Sequence, residues 1–241
     1  MQTTNNTVLV TGGTRGIGRA IATAFLERNN RVIVTGRNQE ALDEAKSTGF
    51  IPFTCDLTKQ EDIEALAVFI ENEHPELNIL INNAGVQYNY HFLEESTPFT
   101  MMKQEVETNL TGQILLTSML LPILTSNDPS AIVNLTSALA LNPKEDGVVY
   151  SATKAAFRSY TIGLRYQLEQ TPTKVVELMP PLVDTQMTTG RGKKKISPET
   201  FANIFMRDFA KGRTFITAPQ IKMYRVINYL LPNLAARMIR G

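Results

Sequence analysis

The chain has 241 residues, 43% of them hydrophobic and 20% charged, which suits one soluble globular α/β domain with a sizeable core. One cysteine, Cys55, excludes an internal disulfide framework, and with only His74 and His91 beside it a His/Cys metal cluster is excluded as well. The formal net charge of +1 conceals a division: residues 1–185 carry 13 Lys/Arg against 21 Asp/Glu, whereas residues 186–241 carry 11 against 2.

Met1 to Asn6 shows neither the basic nor the apolar segment of a signal peptide, and no uncharged apolar run reaches the roughly 18 residues of a membrane span. With a lone thiol, this gives a cytoplasmic protein as the expectation. Short β-branched runs at Thr7–Val10, Arg31–Thr35, Phe50–Thr54, Asn78–Asn82, Ala131–Leu135 and Lys174–Met179 are predicted as strands. Helical patterns fall at about 16–28, 38–47, 58–74, 98–124 and 150–170, the third opened by a Thr58/Glu61 capping box. Alternating strands and helices predict a doubly wound parallel sheet in three α/β/α layers, with a helical C-terminal extension. The whole of 1–241 is expected to form one Rossmann-type domain in which 186–241 supplies a basic substrate lid and a C-terminal helical lobe.

The first strand runs into Thr11-Gly12-Gly13-Thr14-Arg15-Gly16-Ile17-Gly18. Glycines at 12, 16 and 18 let the backbone turn tightly and bring the next helix's N–H groups onto a pyrophosphate. The spacing is G-x-x-x-G-x-G rather than the general dinucleotide fingerprint, so it is the placement after a strand and before a helix that points to a cofactor. Further on, Tyr150 and Lys154 stand four residues apart on one helix face. An ammonium there is expected to pull the phenol's pKa down from about 10 and make it a proton exchanger. Ser137, at the end of the fifth strand, can converge with it on one oxygen atom.

Together these segments resemble the short-chain dehydrogenases/reductases, in their short single-domain branch, over about residues 7–185. The glycine turn is similar to the family's T-G-x-x-x-G-x-G, Asn82-Asn83-Ala84-Gly85 to the motif after its fourth strand, and Asn109 to its helix asparagine. The resemblance implies Tyr150 as general acid/base, Ser137 as a hydrogen bond to the substrate oxygen, and Lys154 acting on both the phenol and the nicotinamide ribose. It also implies that Asn109 holds a water in a proton relay. The cofactor would rest on Gly12, Thr14, Arg15, Gly16, Ile17, Gly18, Arg37, Asp56, Leu57, Asn83, Ala84, Gly85, Tyr150, Lys154, Val183 and Thr185, with no metal. The stretch Ala84-Gly85-Val86-Gln87 and the pair Pro180-Pro181 resemble the branch that holds DltE-like oxidoreductases.

Between Arg28 and Gln39 there is no acidic residue to take a ribose hydroxyl; Arg37 and Arg15 are there instead, two guanidinium groups suited to a 2′-phosphate. NADP(H) is therefore the expected cofactor. The resemblance places Asp56 against the adenine, and this is favoured over a plain cap for the following helix. Pro181 stands where the family usually has glycine and stiffens the backbone there.

Leu139, Ala140 and Leu141 with Val86, Gln87, Tyr88 and Tyr90 predict a partly apolar pocket for a small carbonyl or alcohol substrate. Met187 is expected on a lid, and Arg191, Lys193, Lys194 and Lys195 either lie in a solvated loop or steer an anionic substrate. In the tail, Tyr224, Ile227, Leu231, Leu234 and Met238 recur at helical spacing among Lys222, Arg225, Arg237 and Arg240, and Pro232 kinks or divides the helix. Packing against the chain's own domain or a second subunit is favoured for this stripe over contact with a membrane surface. A homo-oligomer, dimer or tetramer, is expected, although the family's glycine pair is missing around Phe215-Ile216-Thr217, which bears against the tetramer. No nucleic-acid module accompanies the charge. The competing functional reading is an NADP-binding regulator or peripheral membrane scaffold that does no chemistry.

Overall fold

The computed structural model describes residues 1–93, 99–192 and 194–240. The predicted helix start at residue 98, Lys193 of the basic loop and the terminal Gly241 lie outside the described residues. Strands β1 (Thr7–Val10), β2 (Arg31–Gly36), β3 (Ile51–Thr54), β4 (Leu77–Asn82), β5 (Ser130–Leu135), β6 (Thr173–Met179) and β7 (Phe215–Thr217) form one parallel sheet in the order β3-β2-β1-β4-β5-β6-β7. After β3 the chain returns past β1 to lay down β4, so the winding reverses between β1 and β4. The crevice beyond their carboxyl ends is where such sheets hold ligands.

Both faces of the sheet are covered, which is why its strands read as nearly continuous apolar runs. Along β1 the side chains alternate: Val8 and Val10 join one core, Leu9 the other. On the first face lie α1 (Gly16–Leu26) and α7 (Pro198–Ala210), locked by edge-on contacts of Phe25 with Phe205 and Phe209 at ring separations of 6.1 and 6.0 Å. α2 (Gln39–Ser47) adds Ala45 to the same core. The second face is covered by α3 (Gln60–Glu73), α5 (Gly112–Ser126) and α6 (Val148–Gln167) through Leu66, Ile70, Leu116, Leu120 and Leu164.

Three local expectations are corrected. The Thr58/Glu61 capping box does not form. α3 begins at Gln60 after Lys59, and Thr58 gives both its N–H and its hydroxyl to Asp56 Oδ1, each at 3.0 Å. The long helix expected over 98–124 is interrupted: α4 (Phe99–Val106) passes through a π-helical turn at Glu107–Thr111 before α5 begins. Pro232 divides the tail, as expected, into α8 (Pro219–Leu230) and α9 (Pro232–Arg240), and the third correction is to the stripe across it. Spacing counted across that proline therefore does not define one face. Tyr224 is buried and Ile227 half-buried, whereas Leu231, Leu234 and Met238 stay exposed. No helix among the described residues is long and apolar enough to cross a membrane.

Candidate active site

The loops beyond β1, β4, β5 and β6 enclose a cleft of about 1100 Å³. At one end is the glycine turn. Thr11 Oγ1 accepts the N–H groups of Asn83 and Ala84, each at 3.0 Å, and Asn83 Nδ2 donates back to the carbonyls of Thr11 and Gly12 at 2.8 and 3.1 Å. The loops after β1 and β4 are thus clamped face to face. A Cβ on Gly18 would come to 2.4 Å from Asn83 Nδ2, and Gly12 has φ +62, so each position requires glycine for its own reason. α1 starts without a side-chain cap: Arg15 precedes it in extended backbone and its guanidinium reaches Gln186 Oε1 at 2.6 Å. Gly16, Ile17 and Gly18, the first turn of α1, border the cleft with no capping side chain on their N–H groups, a helix end chemically suited to an anion.

All sixteen residues expected around the cofactor border this cleft: Gly12, Thr14, Arg15, Gly16, Ile17, Gly18, Arg37, Asp56, Leu57, Asn83, Ala84, Gly85, Tyr150, Lys154, Val183 and Thr185. Arg37 lies 3.6 Å from Asp56. The carboxylate thus both shapes the turn before α3 and orients a cation at the cleft edge.

At the other end Ser137, Tyr150 and Lys154 line the same space. Ser137 follows β5 in extended backbone, and its Oγ accepts the N–H of Leu139 at 3.1 Å. Tyr150 sits in the first turn of α6, and Lys154 one turn later sends Nζ to the carbonyl of Leu135 at 2.9 Å. Gly85 makes room for Asn109: a Cβ there would sit 3.2 Å from Asn109 Oδ1, with Lys154 Nζ in ordinary contact at 3.8 Å.

The expected depression of the phenol's pKa is not what this arrangement gives. Burial pushes Tyr150 up to about 12, against the downward pull of a Ser137 hydrogen bond and the Arg191 charge, and with a smaller upward push from Glu105. Burial likewise brings Lys154 down to about 8. Desolvation of each group exceeds any attraction between them, since Nζ is turned to a backbone carbonyl and stands 5.9 Å from the Tyr150 ring centre. The phenol is an acid at neutral pH.

Asn109, fully buried in the π-helical turn, does not border the cleft. Its amide pairs with both backbone groups of Val86, each at 2.8 Å, and lies 3.3 Å from Thr153 Oγ1. It thereby ties the loop after β4 to α6. Beneath the site Asn82 and Asn134 join β4 and β5 to Thr117 of α5 and Thr161 of α6 by side-chain hydrogen bonds of 2.8–3.0 Å.

Of the expected substrate pocket, Val86, Gln87, Tyr88 and Leu139 border the cleft, as does Met187; Tyr90, Ala140 and Leu141 do not. Tyr90 is buried instead, giving its hydroxyl to Glu105 Oε2 at 2.9 Å, while Glu105 Oε1 takes the Tyr88 N–H at 2.9 Å. Burial raises the Glu105 carboxyl above its ordinary range. No spacing in the sequence singled out Glu105. The cleft also receives Lys144, Arg191 and, from the tail, Met238 and Ile239. α9 reaches it because Arg240 is tied to Glu145, backbone oxygen to N–H at 3.1 Å and guanidinium to carboxylate at 3.3 Å.

The family model for short chain dehydrogenases matches residues 6–196. This protein is a short-chain dehydrogenase family member. The short-chain dehydrogenases are oxidoreductases, and the uncharacterized oxidoreductase DltE of Bacillus subtilis (strain 168) is 36% identical over 233 residues, covering 93% of this chain and 92% of that one. A short chain dehydrogenase from Burkholderia cenocepacia J2315, solved in complex with NADP, superposes with a TM-score of 0.87 at 26% identity over 100% of each chain. A short chain dehydrogenase/reductase from Burkholderia phymatum, solved with NAD, gives 0.85 at 20% identity over 100% of this chain and 97% of that one, a likeness of fold alone.

Proposed function

We propose that this short-chain dehydrogenase is an NADP-dependent oxidoreductase that interconverts a carbonyl compound and its secondary alcohol. The observation that carries the reading is the convergence of Ser137, Tyr150 and Lys154 on a cleft that is also bordered by the uncapped start of α1 and by Arg15 and Arg37. The NADP-bound Burkholderia cenocepacia structure supports the cofactor assignment, and Arg15 and Arg37 supply paired cations for a 2′-phosphate. The backbone N–H groups of Gly16, Ile17 and Gly18 would hold the pyrophosphate, and Thr185 and Val183 would flank the nicotinamide end. NADP(H), when bound, supplies the hydride donor or acceptor.

The residues of the chain manage the proton. Tyr150, protonated at neutral pH, donates its phenolic proton to the carbonyl oxygen during reduction. Ser137 holds that oxygen and stabilises the charge that builds on it. Lys154 supplies a positive charge that stabilises the phenolate left behind, and Asn109 positions the loop and helix around it through Val86 and Thr153. Arg191 at the cleft favours an anionic substrate.

The test is Tyr150→Phe with NADPH oxidation followed over a panel of ketones, aldehydes and quinones. The variant is expected to lose about 10²–10⁴-fold in turnover while binding NADPH normally by fluorescence. Unchanged turnover would remove Tyr150 from the reaction. A wild-type protein that binds NADPH but turns over no member of the panel would favour the silent regulator.

A further inference from the structure

We propose that the outer face of α8, continued through the α8–α9 junction, docks the protein on an anionic lipid bilayer. The inner face of the hairpin is occupied: Ile221, Tyr224 and Ala235 are buried, Tyr224 Oη donates to the Ala235 carbonyl, and Asn142 Nδ2 donates to Asn228 Oδ1 at 2.6 Å. Among the described residues the apolar side chains of the outer face stay largely uncovered. Tyr229 is 87% exposed, Leu230 65%, Met223 64%, Val226 58% and Leu231 55%, values at which large apolar side chains in a single-chain protein call for a partner.

Charge selects the partner. Lys222 and Arg225 share the face with Val226 and Tyr229 at helical spacing, and these four with Phe215 and Leu230 line one shallow depression of about 520 Å³. The Arg225 guanidinium stacks 4.0 Å over the Phe215 ring, which holds its charge on this face. From Phe209 to Gly241 the sequence has six Lys/Arg and no Asp/Glu. A second copy using the same face across a two-fold axis would set Lys222 and Arg225 against their own kind. Contact with the acidic body of another copy would be head-to-tail, which closes only as a ring or runs on as a filament. An anionic bilayer satisfies both halves of the surface, taking the aromatic and aliphatic tips into the interface and the cations against its headgroups. The inference is independent of the proposed reaction, because docking is measured without turnover.

The experiment sediments the full chain with vesicles of phosphatidylcholine alone and of phosphatidylcholine with about 30% phosphatidylglycerol, at low salt and at about 0.5 M salt. Binding is expected to the anionic vesicles only, and weaker at high salt. The double variant Lys222→Gln, Arg225→Gln should lower the partition coefficient about tenfold or more, and Tyr229→Ser with Leu230→Ser should lower it comparably. All four positions are exposed, and circular dichroism checks each fold. No binding to anionic vesicles at low salt overturns the proposal, as does binding that the variants leave unchanged. A dimer in sedimentation velocity that Tyr229→Ser dissociates also overturns it, because a second copy then covers the face.

Discussion

Lys154 donates from Nζ to the carbonyl oxygen of Leu135 at 2.9 Å, two residues before Ser137, so one side chain fixes the helix bearing the phenol to the strand that delivers the hydroxyl. Among the described residues no carboxylate pairs with the buried amine, and its pKa near 8 records the cost. A lysine whose folded value lies below its unfolded value of 10.5 destabilises the fold fully below pH 8, and the penalty fades as pH climbs to 10.5. Lys154→Met is therefore expected to stabilise the cofactor-free protein at pH 7 by about 1–2 kcal/mol, the lost hydrogen bond included. Thermal unfolding at pH 7, 8, 9 and 10 checks the sign: the advantage should shrink over that series. An advantage independent of pH would show that the amine is not the cause.

Cofactor preference turns on Arg15 and Arg37. Replacing either with alanine should raise the dissociation constant for NADPH about 10–100-fold and leave that for NADH within about threefold, each charged hydrogen bond contributing about 1.5–3 kcal/mol. Fluorescence titration with both nucleotides measures it. Equal losses for the two would place the arginines on the pyrophosphate or make them structural.

Glycine substitutions separate a crowded turn from an open helix. Gly18→Ala drives a methyl group against Asn83 and the Gly12 carbonyl and should weaken NADPH binding more than about tenfold while lowering the melting temperature. Gly163, inside α6 with nothing within 4 Å of an added Cβ, should accept alanine with a gain of about 0.5–1 kcal/mol. If both variants unfold at the same lower temperature, the clamp is not what demands glycine 18.

Glu105 gives a prediction for the pH profile. Its charge is among the influences that raise Tyr150, so Glu105→Gln, which keeps an acceptor for the Tyr88 N–H, should lower the pKa governing kcat/KM. Tyr90→Phe removes a hydroxyl and leaves a buried carboxyl oxygen short of its donor; a cost of about 1–3 kcal/mol in stability is expected. A pH profile identical in wild type and Glu105→Gln would confine Glu105 to structure.

Alternation of apolar runs with amphipathic ones made the sheet and most helices legible, since strands covered on both faces need unbroken β-branched stretches. The glycine turn was legible because glycine alone accepts its backbone. What escaped were effects that depend on who becomes the neighbour. The Tyr150/Lys154 spacing is right for a face-to-face pair, yet burial rather than mutual attraction sets both pKa values. Glu105 was invisible because its role is made by Tyr90 and Tyr88, residues from another segment. Met238 and Ile239 reach the cleft only because the tail folds back across it, an arrangement no helical period encodes.

The tie between Arg240 and Glu145 makes the last turn of the polypeptide act as a thumb on the mouth of the cavity. Whatever shifts that thumb, a protease nick in the hairpin or a charge change at position 145, changes which molecules can get in, while the proton-handling residues stay where they are.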